Sequence, residues 1–185
     1  MKNFRINSSD TLLLMIDIQD KLFKVMSGKV QENLVRNCSI LIKTASEFNI
    51  PLIVTEQYRK GLGDTIPELK QLTGTSLNLE KFHFDSMKDD EIKKAVFATG
   101  KNTVIVTGTE THICVFQTAL SLLAEGRRVV VVMDGVGSRR KKDWEFALRA
   151  LSEAGAVIYP TETIVFMLLE KAGTPQFKAL SPLFK

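Results

Sequence analysis

Thr103-Val-Ile-Val-Thr-Gly-Thr-Glu-Thr-His-Ile-Cys-Val-Phe-Gln-Thr-Ala-Leu-Ser-Leu-Leu-Ala-Glu-Gly126 joins two hydrophobic patterns through a polar turn. Thr103 to Thr107 is a short β-branched run, the pattern of a strand buried in a parallel sheet. Ile113 to Ala124 is strongly apolar, long enough for a helix, and stopped by Gly126. A strand that passes directly into a helix is half of a β-α-β unit. Cys114 falls in the first turn of this predicted helix, where unpaired N–H groups and the helix dipole favour a thiolate.

The same alternation extends in both directions. Towards the N-terminus, Leu12 to Ile18 reads as a buried strand ending at a carboxylate. Val30, Leu34, Leu41, Ala45 and Phe48 then recur at helical spacing, and Pro51 to Thr55 reads as the next strand. Glu56 to Pro67 is too irregular for either period, and Leu77 to Phe84 has room for a short third strand. Asp85, Ser86 or Asp89 is a candidate cap for a helix carrying Ile92, Ala95 and Val96. Towards the C-terminus, Val129 to Met133 is a strand, and Asp143 to Ala154 is an amphipathic helix stopped by Gly155. Ala156 to Tyr159 is a last strand, and Thr161 caps an apolar helix through Leu169. Strand and helix alternate five or six times with short connections. The expected fold is therefore α/β: a three-layer, doubly wound, mostly parallel sheet with helices on both faces. One domain over 1–185 is expected, with a core at 11–172 and an apolar tail at 173–185 that packs on the domain or on a neighbour.

Composition narrows the function class. A hydrophobic fraction of 44% against 25% charged residues is enough for a core without staples. No apolar run reaches the length of a membrane span, so no membrane partner is expected. The polar start lacks a secretory layout, and with Cys38 and Cys114 as free thiols a reducing, cytoplasmic setting is the expectation. The net charge of +4 is too weak to announce a nucleic-acid binder.

Sites in open parallel sheets form beyond the carboxyl ends of the strands. The polar or reactive residues there are Asp17 with Gln19, Glu56 with Gln57, Lys81 with His83, the stretch Thr109 to Cys114, and Asp134. A carboxylate, an ammonium and a thiol could converge on one edge. Bland readings compete: a buried cysteine is more often packing, Asp17 could cap a turn, and Lys81 could sit in solvent.

Three segments carry a resemblance. Asp17-Ile18-Gln19 after an apolar strand, Lys81 in a Lys-Phe-His-Phe-Asp-Ser context, and Gly108 through Cys114-Val115 with Thr118-Ala119 resemble the isochorismatase-like hydrolases. Asp134 with Ser138-Arg139 resembles a later family segment, and the similarity runs from about Thr11 to Ala172. Glu56-Gln-Tyr-Arg-Lys-Gly-Leu-Gly63 resembles the branch of isochorismatase domain-containing proteins. The resemblance implies a catalytic triad of Asp17, Lys81 and Cys114 and a cis peptide between Thr109 and Glu110. It also implies an oxyanion hole from the backbone N–H groups of Glu110 and Cys114. A cysteine argues for an amide, ureide or related carbonyl substrate, since isochorismate-cleaving members usually lack it.

Gln19, Phe23, Tyr58, Phe84, His112 and Ile113 are candidate pocket residues, with core packing or a backbone hydrogen bond as the alternative for each. Nicotinamidases of the family this chain resembles carry an Asp-x-His-x-x-His metal site after the second strand; the corresponding loop here, Glu56 to Thr65, has no histidine, so the resemblance implies no metal, and no cofactor is expected. Cys38, mid-helix among apolar residues, reads as structural. Gly61-Leu-Gly63 and Gly135-Val-Gly137 do not continue as a dinucleotide-binding loop. The basic run Arg139 to Lys142 reads as a solvated helix entry. The expected activity is a cysteine hydrolase on a small molecule, in a homo-oligomer. The alternatives are a nucleic-acid-binding protein or nuclease using that basic run, and a non-catalytic oligomeric member of the same fold.

Overall fold

The structure, a computed structural model, describes residues 5–74 and 76–185. Six strands form one sheet: β1 (Thr11–Ile16), β2 (Leu52–Gln57), β3 (Leu77–Lys81), β4 (Thr103–Thr109), β5 (Arg128–Gly137) and β6 (Val157–Tyr159). Their order is β3-β2-β1-β4-β5-β6, and every pairing is parallel. The helices, in chain order, are α1 (Asp20–Lys24), α2 (Gly28–Glu47), α3 (Arg59–Leu62), α4 (Pro67–Lys70) and α5 (Asp90–Ala98). They continue as α6 (Phe116–Ala124), α7 (Lys141–Ala154), α8 (Thr161–Leu169) and α9 (Pro175–Leu180). None is long and apolar enough to cross a membrane.

Period-two alternation along the strands sorts side chains into two cores. Leu12, Leu14, Ile16, Val104, Val106, Val129 and Val131 meet Ile92 and Val96 of α5, Ala119 and Leu122 of α6, and Leu148 and Leu151 of α7. On the other face, Leu13, Ile105 and Val130 meet Leu41 and Ala45 of α2 and Ile164 and Leu168 of α8. Met15 and Val54 pack with Leu34 and Cys38 of α2. Helices thus cover both faces, which is why the strands read as continuous apolar runs. The 173–185 tail is closed by Leu180, Phe177, Leu183 and Phe184 against Ile40, Val165 and Leu169.

The strand order reverses between β1 and β4, the place where ligands bind in doubly wound sheets. There the backbones approach closely. Gly108, at φ +125°, pairs with Ile16, and a Cβ on it would lie 2.0 Å from the Ile16 carbonyl oxygen. Glycine is required on both counts.

Several boundaries differ from the sequence reading. The helix expected from Ile113 begins as a π-helical turn, Thr111–Val115, and only then becomes α6. Cys114 therefore precedes the α-helix instead of occupying its first turn. β5 runs on to Gly137 because it bulges: Val106 pairs Val131 and Gly108 pairs Val136, so Thr107 alone faces residues 132–135. The Thr107 hydroxyl donates to the Gly135 carbonyl, and Asn37 Nδ2 donates to the Asp134 carbonyl at 2.7 Å, pinning the bulge to α2. A Cβ on Gly137 would meet Val30 Cγ1 at 2.8 Å, so helix packing explains this glycine. The irregular Glu56–Pro67 stretch contains the end of β2, all of α3 and the first residue of α4. Thr161 is the first residue of α8, and its hydroxyl and N–H both donate to Asp134 Oδ1 at 2.8 Å. Asp89 is the N-cap of α5 but makes no side-chain cap bond. Asp85 caps the preceding 3-10 turn through the Met87 N–H.

Candidate active site

The end of β1 sets the first group. Asp17 follows Ile16 at φ +50°, its N–H donating to the Thr55 carbonyl at 3.0 Å and its carbonyl accepting the Thr109 hydroxyl at 2.5 Å. Both neighbouring strands thus hold its backbone. Oδ1 accepts the Thr55 hydroxyl at 2.7 Å. Oδ2 lies 2.7 Å from Lys81 Nζ, and both side chains are fully buried.

Lys81 ends β3, two strands away. Its ammonium directs hydrogen bonds to Gln57 Oε1 at 2.7 Å and to the carbonyls of His83 and Phe84 at 3.1 and 3.3 Å. Asp17 Oδ2 and these three acceptors surround the ammonium on every side.

Cys114 is the third group at this place. Its thiol is 5% exposed and interacts with both the Asp17 carboxylate and the Lys81 ammonium. Burial first, then the adjacent Asp17 carboxylate, pushes the thiol pKa up to about 12, with Lys81 pulling the other way. This reverses the expectation of a thiolate stabilised by a helix N-terminus, for two physical reasons. The thiol is nearly dry and stands beside a carboxylate, and α6 begins only after it. Burial also raises the Asp17 pKa, against the lowering effects of Lys81, Thr55 and Cys114. The resting pair is a neutral thiol beside a carboxyl group that accepts protons more readily than an exposed aspartate.

The turn that carries Cys114 starts at the Thr109–Glu110 peptide, which is cis. The Glu110 carbonyl accepts from the N–H groups of Ile113 and Val115, at 3.0 and 3.3 Å, leaving the Cys114 N–H between them outside that pairing. Glu110 is 4% exposed; its Oε1 pairs with Arg139 Nε at 2.5 Å. His112 Nδ1 lies 3.0 Å from the Ser138 hydroxyl and 3.4 Å from Glu110 Oε2.

The other sequence candidates divide. Ile113 is half-buried against the same core as Cys114, and Phe23 packs on the α2 side. Tyr58 and Phe84 are exposed, at 45% and 56%, and the Tyr58 ring stands 6.0 Å from that of Phe82. Gly61 accommodates this, since a Cβ there would strike the Tyr58 ring at 2.4 Å. Gln19 is fully buried, and its amide is spent on the backbone of Gln57 and Gly63, so it clamps a loop instead of facing an opening. His83 is exposed and pairs with Asp89 at 3.2 Å. Cys38 is buried 3.0 Å from the Thr107 hydroxyl, well inside the fold. Thr55 went unnoticed in the sequence, and Gln57 was marked only as a polar residue past a strand end. Both orient the Asp17–Lys81 pair. Glu56 explains the motif that follows it. Despite burial, hydrogen bonds from Thr65, Asn78 and Arg59 hold its pKa below the ordinary value. It anchors the loop from 58 to 65.

Comparison with known proteins agrees with this architecture. Residues 11–163 match the Isochorismatase domain. Isochorismatase domain-containing protein 2 of Danio rerio is 34% identical over 97% of this chain and 89% of its own. The YcaC gene product of Escherichia coli, described as an octameric hydrolase of unknown specificity, superposes with a TM-score of 0.92 at 27% identity. That match covers 100% of this chain and 91% of the other. A structure described as MAR1 ribonuclease from Caenorhabditis elegans gives 0.89 at 33% identity, over 97% of this chain and 91% of that one. The chain belongs to the isochorismatase-like family of α/β hydrolases, with its kin among the isochorismatase domain-containing proteins.

Proposed function

We propose that the chain is a cysteine hydrolase of small amides, ureides or related carbonyl compounds, with Cys114 as nucleophile, Asp17 as general base and acid, and Lys81 as electrostatic support. The observation that carries this reading is the convergence of the buried Cys114 thiol, Lys81 ammonium and Asp17 carboxylate at the switch between β1 and β4. Substrate arrival triggers the chemistry. Asp17 Oδ2 takes the thiol proton as sulfur forms a bond to the carbonyl carbon. The carbonyl oxygen becomes an oxyanion facing the backbone N–H groups of Glu110 and Cys114, donors of a kind worth about 10²–10³ in rate. The carbon–nitrogen bond then breaks, and the proton held on Asp17 passes to the leaving nitrogen. A water molecule gives its proton to Asp17 and its hydroxide to the acyl carbon. The carbon–sulfur bond breaks, and the departing sulfur recovers its proton from Asp17. Lys81 keeps positive charge beside the carboxylate and the forming thiolate throughout.

Incubation with an amide and ureide library followed by intact-mass and peptide spectrometry tests this. The expected result is an acyl mass on Cys114 in the wild type, and neither adduct nor turnover in Cys114→Ser. Full turnover in Cys114→Ser refutes the nucleophile. A second reading, RNA binding or cleavage, draws on the C. elegans structure described as a ribonuclease and on the exposed basic run at the start of α7. It requires salt-dependent RNA binding that disappears in Arg140→Ala/Lys142→Ala. Self-association is part of the proposal, in keeping with the octamer described for YcaC.

A further inference from the structure

The outer face of α6 lacks the charge that a solvated helix ordinarily carries. No side chain from Phe116 to Ala124 is charged, whereas α2, α5, α7 and α8 each carry acidic or basic residues. Thr118, Ala119 and Leu122 turn into the core, and Gln117, Leu120 and Ala124 are left in solvent. Half-buried Phe116 stacks on Phe146 of α7, ring centroids 6.1 Å apart, and Phe146 is 55% exposed. On another side of the helix, the Ser121 hydroxyl donates to Asp85 Oδ2 at 2.6 Å, and Thr118 Oγ1 accepts from the Ser86 N–H at 2.9 Å. These bonds seat beside α6 the segment that carries Phe84, which is also exposed. Exposed apolar side chains thus stand on α6 and on both of the elements next to it. A single exposed apolar residue is ordinary; a group of neighbours marks an interaction surface.

The charges around this face are balanced. On α7, exposed Lys142 and Arg149 are matched by exposed Glu145 and Glu153, and just past α6 Glu125 pairs with Lys93 of α5 at 2.5 Å. A basic rim would suit a lipid or nucleic-acid surface and would repel its own copy. An uncharged centre inside a balanced rim suits a face that meets itself. Side-chain sizes agree with this. If two α6 helices cross antiparallel with Leu120 on a twofold axis, Phe116 comes opposite Ala124 of the partner subunit, large against small, as close helix packing requires.

We propose that the α6 face, centred on Leu120 and flanked by Phe146, is the surface through which this chain pairs with a second copy of itself about a twofold axis. The proposal names a surface for the self-association proposed above and rests on it, but not on the hydrolase chemistry.

Sedimentation velocity at about 50 µM on the wild type, Leu120→Glu, Leu120→Lys and an equimolar mixture of the two variants provides the test. The wild type is expected to self-associate. Each variant alone sets like charges face to face across the axis and is expected to associate at least about tenfold more weakly, giving a smaller assembly. The mixture is expected to regain the wild-type assembly, because glutamate then meets lysine. Circular dichroism checks the fold of each variant. If either is unfolded, Leu120→Gln takes their place and is expected to weaken association; wild-type strength in it overturns the proposal. Folded charge variants that assemble as the wild type does, or a mixture no larger than its components, overturn this surface and leave the self-association standing. A monomeric wild type overturns both. Binding of that monomer to phosphatidylglycerol vesicles, lost in Leu120→Glu, would give the face to a membrane instead.

Discussion

The Lys81 ammonium stands 2.7 Å from Asp17 Oδ2 inside the protein, with neither side chain reaching solvent. Two ions so placed must each offset the other's desolvation, and hydrogen bonds from Thr55 and to Gln57 complete the balance. Lys81→Met should strand the carboxylate and cost about 3–5 kcal/mol of stability. Asp17→Asn/Lys81→Met should recover most of that loss while remaining inactive. Urea unfolding of wild type, single and double variants measures the coupling. Equal instability of the single and double variants would show that the pair is not the unit described.

Thiol reactivity should respond to Asp17 in the direction opposite to turnover. The carboxylate raises the Cys114 pKa and Lys81 lowers it, so Asp17→Ala leaves the lowering partner alone. Alkylation of Cys114 by iodoacetamide at about pH 7.5 should then accelerate, because the thiolate is the nucleophile, even as hydrolysis is lost. In the wild type, Cys114 should label slowly but still before the fully buried Cys38. Peptide mapping against time reads both rates. Slower labelling of Cys114 in Asp17→Ala would contradict the electrostatic account.

Alkaline stability gives an independent check on Cys38. Burial lifts its pKa from 9.0 to about 12. The folded state therefore holds a proton that the unfolded chain releases, so stability is intact below about pH 9 and falls as pH rises towards 12. Between pH 8.5 and 10.5 this one group should remove about 2 kcal/mol. Cys38→Ala lacks the group, and its urea midpoint should decline less steeply over the same interval. Parallel declines in the two proteins would argue that Cys38 is not held as a buried neutral thiol.

Glycine positions separate sharply. Gly108→Ala would drive a Cβ into the Ile16 carbonyl at φ +125°, forcing β1 and β4 apart where the site is built. Loss of more than about 4 kcal/mol, or failure to fold, is expected. Gly126→Ala, at φ +75° with open space around it, should cost only about 1 kcal/mol. Thermal melts of the two variants give the comparison; similar melting temperatures would mean that the β1–β4 approach is less strict than described.

Much of this arrangement was legible because burial on both faces forces strands such as Leu12–Ile16 and Val104–Val106 to be continuously apolar. Asp17, Lys81 and Cys114 were visible as polar interruptions just past strand ends. What the letters concealed was environment. Lys81 reads equally well as a solvated side chain, and only the acceptors Gln57, His83 and Phe84, gathered from the end of β2 and the segment after β3, make its burial tenable. The thiol's charge state is set by burial and by the Asp17 carboxylate brought beside it, and neither is written in the local sequence around Cys114. Gln19 looked like a pocket residue, yet its partners are backbone atoms that no side-chain pattern reveals. The β5 bulge was equally hidden, since Met133 to Gly135 carries the composition of an ordinary strand exit.

That bulge gives the fold an adjustable joint. Because Thr107 alone spans the slack in the neighbouring strand, a residue gained or lost among 133–135 can be absorbed without shifting the ladder on either side. Such a change would instead swing Ser138 and Arg139 relative to the cysteine turn. Related chains therefore have a place to retune what surrounds the thiol by altering length alone, with the carboxylate and ammonium left where they stand.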